Sequence, residues 1–269
     1  MMCVITAGLL TGCSDARKNE LVVKLFEPKR SPSQNMVAAF AAEDPDVRRA
    51  ALAKVAQSKD YDRDWAIKGY VAIALLDDNE QARCVALRAL ARTGDARASE
   101  TALKLLDYQN HPPAEIRPPG ALTRWDAAEA LARLSAAEQV PPEPRQQVRE
   151  ILGDRLRADV NRHVRIAAAR GLGYYPEAET VPALIAGLND EDFAVAHQCE
   201  ESLVRLTGYT HNCNALEWEN WLTEHESDLF ARAGQIPESR RLPYHNRLEK
   251  VGYDFKQFVR WLVPESKDK

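Results

Sequence analysis

At 269 residues, with 45% hydrophobic, 28% charged and 7% aromatic side chains, the chain is long enough to bury about three quarters of its unfolded surface, which excludes a disordered tail. Lys and Arg number 36 against 40 Asp and Glu, a net charge of −4, and this balance argues against a phosphate backbone as the main partner; 12 Gly and 15 Pro exclude collagen-like and low-complexity classes. No apolar run approaches the roughly 20 residues of a membrane-spanning helix, the longest candidate being Val4 to Leu10.

The first segment, Met1 to Gly12, is short and apolar and ends in Leu10-Thr11-Gly12-Cys13. This tetrapeptide resembles the lipobox of bacterial lipoproteins. The resemblance implies cleavage after the small residues Thr11 and Gly12 and acylation of the Cys13 thiol, with Ser14-Asp15 opening a polar tether over residues 13–32. One acylated terminus would hold an otherwise aqueous protein on a membrane face. The departure from the pattern is the absence of Lys or Arg before the apolar run, and the competing reading makes Cys13 an ordinary buried thiol.

From residue 33 onward the chain repeats itself. Five segments align without gaps, beginning Val47-Arg48-Arg49-Ala50-Ala51, Ala82-Arg83-Cys84-Val85-Ala86, Thr123-Arg124-Trp125-Asp126-Ala127, Val164-Arg165-Ile166-Ala167-Ala168 and Val195-Ala196-His197-Gln198-Cys199. The steps from Arg48 to Arg83, Arg124, Arg165 and Ala196 are 35, 41, 41 and 31 residues, the period of a helical-pair solenoid. Four places before each lies Asp44, Asn79, Gly120, Asn161 or Asp192, all residue types that satisfy the orphan amides of a helix N-terminus. Three places after comes a small residue (Ala51, Ala86, Ala127, Ala168, Cys199) and seven after a branched one (Val55, Leu90, Leu131, Leu172, Leu203), so helices can approach and a core can fill between them. Each capped helix follows another amphipathic stretch: Ser33 to Ala42, Trp65 to Leu76, Ala98 to Leu106, Glu143 to Leu156 and Thr180 to Leu188. The proline-rich stretch from Tyr108 to Gly120 and a looser one from Ala136 to Pro144 are predicted connections, because proline is excluded from helix interiors.

These segments resemble HEAT repeats of the short bacterial, PBS-lyase-like kind, clearest in Asp44-Pro45-Asp46-Val47-Arg48-Arg49-Ala50-Ala51. The resemblance covers residues 33–208. It implies an all-α, right-handed α-solenoid of about five helical pairs, the second helices lining the concave side; C-terminal capping helices are expected over 209–269 because a solenoid end must cover its open apolar face. It also implies an arginine-to-aspartate contact between neighbouring turns, which the fifth repeat lacks because Ala196 stands at the arginine position. The family is mostly a binding scaffold, and a fold alone does not fix a function.

Chemistry-bearing patterns are sparse. Di-iron HEAT-repeat hydroxylases use paired His-Glu dipeptides, whereas this chain has His225-Glu226 alone. Asp60-Tyr61-Asp62-Arg63-Asp64 starts like a calcium loop, but Trp65 and Val71 stand where glycine and glutamate are required; a turn before a helix is the simpler reading. His197-Gln198-Cys199 and His211-Asn212-Cys213 carry zinc-ligand types, yet Cys199 occupies the small core position, which leaves a Cys199 to Cys213 disulfide or unlinked thiols as the alternatives. No catalytic residue, metal or cofactor is assigned. Five and nine places after each arginine position lie the candidate concave-face residues Arg88, Arg92, Glu129, Arg133, Arg170, Tyr174, Glu201 and Arg205. Their signs are mixed, which suits a protein partner rather than nucleic acid.

After the repeats, Trp218 and Trp221 fall on a predicted helix from Leu216 to Ala231 that would cover the open end of the array. Residues 240–269 hold eight basic and four acidic residues, and Val251, Phe255, Phe258, Val259 and Leu262 share one helical face. A helix docked on the end of the solenoid is the expected reading, because Tyr253 and Trp261 add aromatic area that a solenoid end can bury; a helix offered to a partner or membrane surface is the alternative. The sequence therefore reads as a membrane-anchored lipoprotein of the cell envelope, on the periplasmic side or the cell surface, whose solenoid is a non-catalytic protein-interaction scaffold. The alternative is a bilin-lyase-like enzyme or chaperone on the same repeat.

Overall fold

The structure, a computed structural model, describes residues 30–240 and 247–262, with side chains of the last helix through Phe258. The signal segment, Cys13 and the tether up to residue 29 lie outside the described residues. Among them there are twelve α-helices and no strand. Five pairs run in order: α1 (Pro32–Ala41) with α2 (Pro45–Gln57), α3 (Asp64–Leu76) with α4 (Glu80–Thr93), α5 (Ala96–Leu106) with α6 (Ala121–Ala136), α7 (Pro142–Ala158) with α8 (Arg162–Leu172), and α9 (Thr180–Gly187) with α10 (Phe193–Thr207). Two helices follow, α11 (Ala215–Glu224) and α12 (Arg247–Leu262).

The helix starts follow the caps. The Asp44, Asn79, Asn161 and Asp192 side chains accept first-turn backbone N–H groups of α2, α4, α8 and α10, which removes orphan donors that would otherwise face a packed interior. At Gly120, the start of α6, no side chain caps the helix; the Glu80 carboxylate instead occupies the space that a Cβ there would need. Helix α3 begins after Arg63 without a side-chain cap. The would-be calcium-loop residue Asp64 is taken up by Lys68 and Arg97, whose hydrogen bonds hold its carboxyl below the usual carboxylate range.

The core is the repeat register made physical. Leu52, Val55, Leu87, Leu90, Leu131, Leu172 and Leu203 are fully enclosed, and so are Ala86, Ala127, Ala168 and Cys199. Each large side chain contributes about 1.5–3 kcal/mol on leaving water, while the small ones set how closely helices approach. Second helices pack against one another more extensively than first helices do, so the array bends with α2, α4, α6, α8 and α10 on its inner side.

An arginine ladder locks successive turns. Arg48 donates from Nε and Nη2 to Asp77 at 3.2 and 3.1 Å, Arg124 to Asp159 at 2.8 and 3.1 Å, and Arg165 to Asp190 at 2.7 and 2.9 Å. The same three arginines donate to backbone carbonyls of their own turns, at Ala42, Pro119 and Asp159. Each aspartate in turn accepts the backbone N–H two residues on, from Asn79, Asn161 or Asp192, so one carboxylate joins a neighbour's arginine to the cap of its own repeat. These bonds raise the three guanidinium pKa values despite burial.

Arg83 is the exception. It is 2% exposed, and its donors go to the carbonyls of Ala74, Arg117 and Pro118. The proline-rich connection has replaced the aspartate turn of the third repeat, and its backbone oxygens stand in for the missing carboxylate. With burial dominating and no paired anion in contact, the Arg83 pKa is lowered.

Candidate functional site

The eight inner-face residues separate into two rows. In the row five places after the arginine position, charges neutralise one another across repeats. Arg88 donates to the buried Asp126 at 2.9 Å, Arg170 donates to both oxygens of Glu129 at 2.7 and 2.9 Å, and Glu201 pairs with Arg240 from the C-terminal segment. Glu129 and Glu201 each stand one helical turn before an arginine, Arg133 or Arg205, but neither pairs within its helix: Arg170 reaches Glu129 from the adjacent second helix, and Arg240 reaches Glu201 from the C-terminal segment.

The row nine places after the arginine position is different. Arg92, Arg133 and Arg205 are exposed, with Tyr174 at the matching position of the fourth repeat. The Arg92 guanidinium lies 4.0 Å above the Tyr61 ring, and that of Arg205 lies 4.5 Å above the Tyr174 ring. A guanidinium seated over an aromatic face is positioned by the ring, and where it is exposed it can still meet a carboxylate with two parallel hydrogen bonds. Thus the mixed signs of the sequence resolve into an internally paired row and an outward, basic one.

The end of the array is organised around a buried carboxylate that no motif marks. Glu200 is 1% exposed. Its Oε1 accepts from Thr210 Oγ1 at 2.6 Å, the His211 backbone N–H at 3.3 Å and Arg240 Nη2 at 3.1 Å, and its Oε2 from the Cys213 N–H at 3.1 Å and Trp218 Nε1 at 2.6 Å. Asn212 and Cys213 both have positive φ, 51° and 61°, which curls the backbone around the anion. Burial pushes this carboxyl up, and the bonds from Thr210, Trp218 and the Cys213 amide, with Arg240, bring it below the usual range. Where the first, third and fourth repeats reach forward with an arginine to an acid, the last repeat presents an acid to donors of the cap. The signal was present in the register: Leu52, Leu87, Ala128 and Ala169 occupy the equivalent place, so a glutamate there demanded partners.

Cys199 and Cys213 are free thiols, not a disulfide. Cys199 is spent on core packing, with its sulfur filling the space beside Gly187 and Leu156, and Cys213 is held by the turn that wraps Glu200. The two His-x-Cys groups also go separate ways: His197 is near the exposed Phe193, whereas His211 packs edge-on against Trp218 at 4.7 Å. Among the described residues no three His, Cys, Asp or Glu side chains are grouped to hold a metal ion.

A cleft of about 660 Å³ opens on the outer side between α7 and α9, with Leu156, Leu172 and Ala183 in its walls and Arg149, Asp154 and Arg157 at its rim. Arg157 is paired with Asp154 and Arg149 lies 3.7 Å from Glu179.

Residues 149–218 match the HEAT repeats family, a span that runs from within α7 through α10 and into α11. The arginine-to-aspartate geometry recurs upstream at Arg48 and Arg124, so the described residues form an all-α solenoid that contains a HEAT-repeat segment. No curated protein matches the sequence.

Proposed function

We propose that this protein is a non-catalytic interaction scaffold of the cell envelope, held to a membrane through an acylated Cys13, and that its inner face receives an acidic segment of a protein partner. HEAT repeats are commonly protein-interaction scaffolds, and the single observation that carries the finer reading is the outward row of Arg92, Arg133 and Arg205, two of them stacked on tyrosines. Exposed arginines repeated at one register position of an acidic chain give that row a local positive field suited to a negatively charged segment. The partner reads as protein because HEAT repeats are commonly protein-interaction scaffolds and the arginines follow the helical-pair repeat, at the ends of α4, α6 and α10.

The test is charge reversal of that row. The triple variant Arg92→Glu, Arg133→Glu, Arg205→Glu lies on exposed positions and is expected to keep its helicity and thermal midpoint. It should lose the protein captured from native envelope by the unaltered chain, and that capture should weaken as salt is raised. Retention of the same captured protein by the folded triple variant would refute the proposed ridge. The anchor is tested separately: Cys13→Ala, expressed with its native upstream region, should leave the membrane fraction, and unchanged fractionation without acyl mass on Cys13 would refute it.

A further inference from the structure

The inner face has a third row, one place after the arginine position. It stands four residues ahead of the paired row and eight ahead of the ridge, so all three rows lie on one side of each second helix. In the last three repeats it holds Trp125, Ile166 and His197, where the first two repeats have Arg49 and Cys84. Ring contacts extend it. Trp125 of α6 lies 5.0 Å from His163 of α8, and His197 lies 5.9 Å from Phe193, one turn earlier on α10. Phe193 is 72% exposed, and Leu122, at the register place of His163, is 45% exposed, while Trp125 and Ile166 are half-buried. Arg162, at the edge of this strip, is paired with Asp192 at 2.8 Å.

The concave side of the last three repeats is thus divided lengthwise. Rings and aliphatic groups form one flank, mutually neutralised charges the floor, and the ridge the other flank. Trp125 and Arg133 are eight residues apart on α6, about 12 Å at 1.5 Å per residue, which is the diameter of an α-helix with its side chains. An extended chain, about 4.8 Å wide in its sheet plane, spans less than half of that width. Adjacent helices pack about 8–10 Å apart, so the strip from α6 to α10 is about 16–20 Å long, the length of three to four helical turns.

Resting on the reading that the ridge meets an acidic segment, we infer that this segment is an amphipathic helix of a protein partner, acidic along one flank and aromatic or aliphatic along the other. It lies between the ridge and the strip. Its carboxylates face Arg133 and Arg205, and its apolar side chains cover Phe193, Leu122 and the Trp125 ring. A purely acidic segment would leave the strip in water, and a purely apolar one would leave the ridge without its counter-charge.

The experiment uses the full chain carrying Cys13→Ser and labelled helical peptides about four turns long. One peptide has Glu along one flank and Leu and Phe along the other; a second has Ala in place of Leu and Phe; a third has Gln in place of Glu. The two-flank peptide is expected to bind at least about tenfold more tightly than either of the others. Leu122→Ser with Phe193→Ser, at exposed positions, should lower its affinity at least about tenfold, to that of the purely acidic peptide, with helicity and thermal midpoint unchanged. Binding should also shift tryptophan emission, and Trp125→Phe should remove that shift. Equal affinity for the two-flank and acidic peptides, or full affinity in the Leu122→Ser, Phe193→Ser variant, would overturn the inference while the ridge reading stands. That reading fails separately if the triple arginine reversal leaves binding of the acidic peptide unchanged. Absence of binding by every peptide would overturn the inference, and so would a dimer that the Leu122→Ser, Phe193→Ser variant dissociates, since the strip would then serve a second copy of the chain.

Discussion

Glu200 shows how one buried charge can define the end of a repeat array. Five donors converge on its two oxygens, so the carboxylate is held ionised in a place that would reject it unpaired. Its pKa is depressed, so its contribution to stability is complete above the ordinary glutamate range and is lost as pH falls through the lower, folded-state value. Glu200→Gln is expected to cost about 2–4 kcal/mol near neutral pH, because an amide N–H must then face the Trp218 or Cys213 donor, and the variant should lose less of its stability on acidification than the native chain does. Parallel acid limbs for the two proteins, followed by thermal melts from pH 7 to pH 3, would contradict this account. Glu200 is legible only by register, since its place holds Leu52, Leu87, Ala128 and Ala169 in the four earlier repeats, while the donors that satisfy it come from the cap and share no repeat pattern. Arg83 was hidden for another reason: its partners are backbone carbonyls, which leave no trace in side-chain identity.

At the scale of elements, boundaries were legible wherever a side chain does the capping. Asp44, Asn79, Asn161 and Asp192 mark four second-helix starts, and the predicted first helices, such as Trp65 to Leu76 and Thr180 to Leu188, differ from the observed Asp64–Leu76 and Thr180–Gly187 by single residues. The fate of α12 was not legible, since an apolar stripe has the same sequence whether it docks or is exposed; its described side chains, through Phe258, are exposed, while Trp218 and Trp221 of α11 are buried against the last repeat. Helix ends that depend on glycine differ in what they touch. Gly94 and Gly208 both adopt left-handed φ, 69° and 76°, but a Cβ at Gly94 would meet the movable Gln139 side chain, whereas at Gly208 it would lie 2.3 Å from the Arg232 backbone oxygen. Gly94→Ala should therefore cost about 1 kcal/mol, the left-handed penalty alone, and Gly208→Ala clearly more, because the segment that follows α11 must also move. Equal urea midpoints for the two variants would show that this segment is not seated on the end of α10.

For the molecule as a whole, the inner side is where packing is closest and substitutions are felt most. Ala168 is fully buried between second helices, and Ala168→Leu should destabilise by about 1–3 kcal/mol through overpacking. Arg170→Ala, on the same helix, removes a partly exposed pair with Glu129 and should cost less than about 1 kcal/mol; reversed or equal losses in chemical unfolding would contradict the assigned register. The inner side also separates architecture from recognition. The arginine ladder and the paired row hold the repeats together, and among the described residues Arg92, Arg133 and Arg205 are exposed outside both. The claim at the centre of this account is that a protein partner lies along that ridge and not on the outer helices. It is tested most directly by placing a photo-crosslinking residue at position 133 on the inner ridge or at position 104 on the outer side, and irradiating native envelope. The account predicts one discrete crosslinked protein from position 133, diminished by reversing Arg92 and Arg205, and none from position 104; the same adduct from both positions, or from position 104 alone, would contradict it.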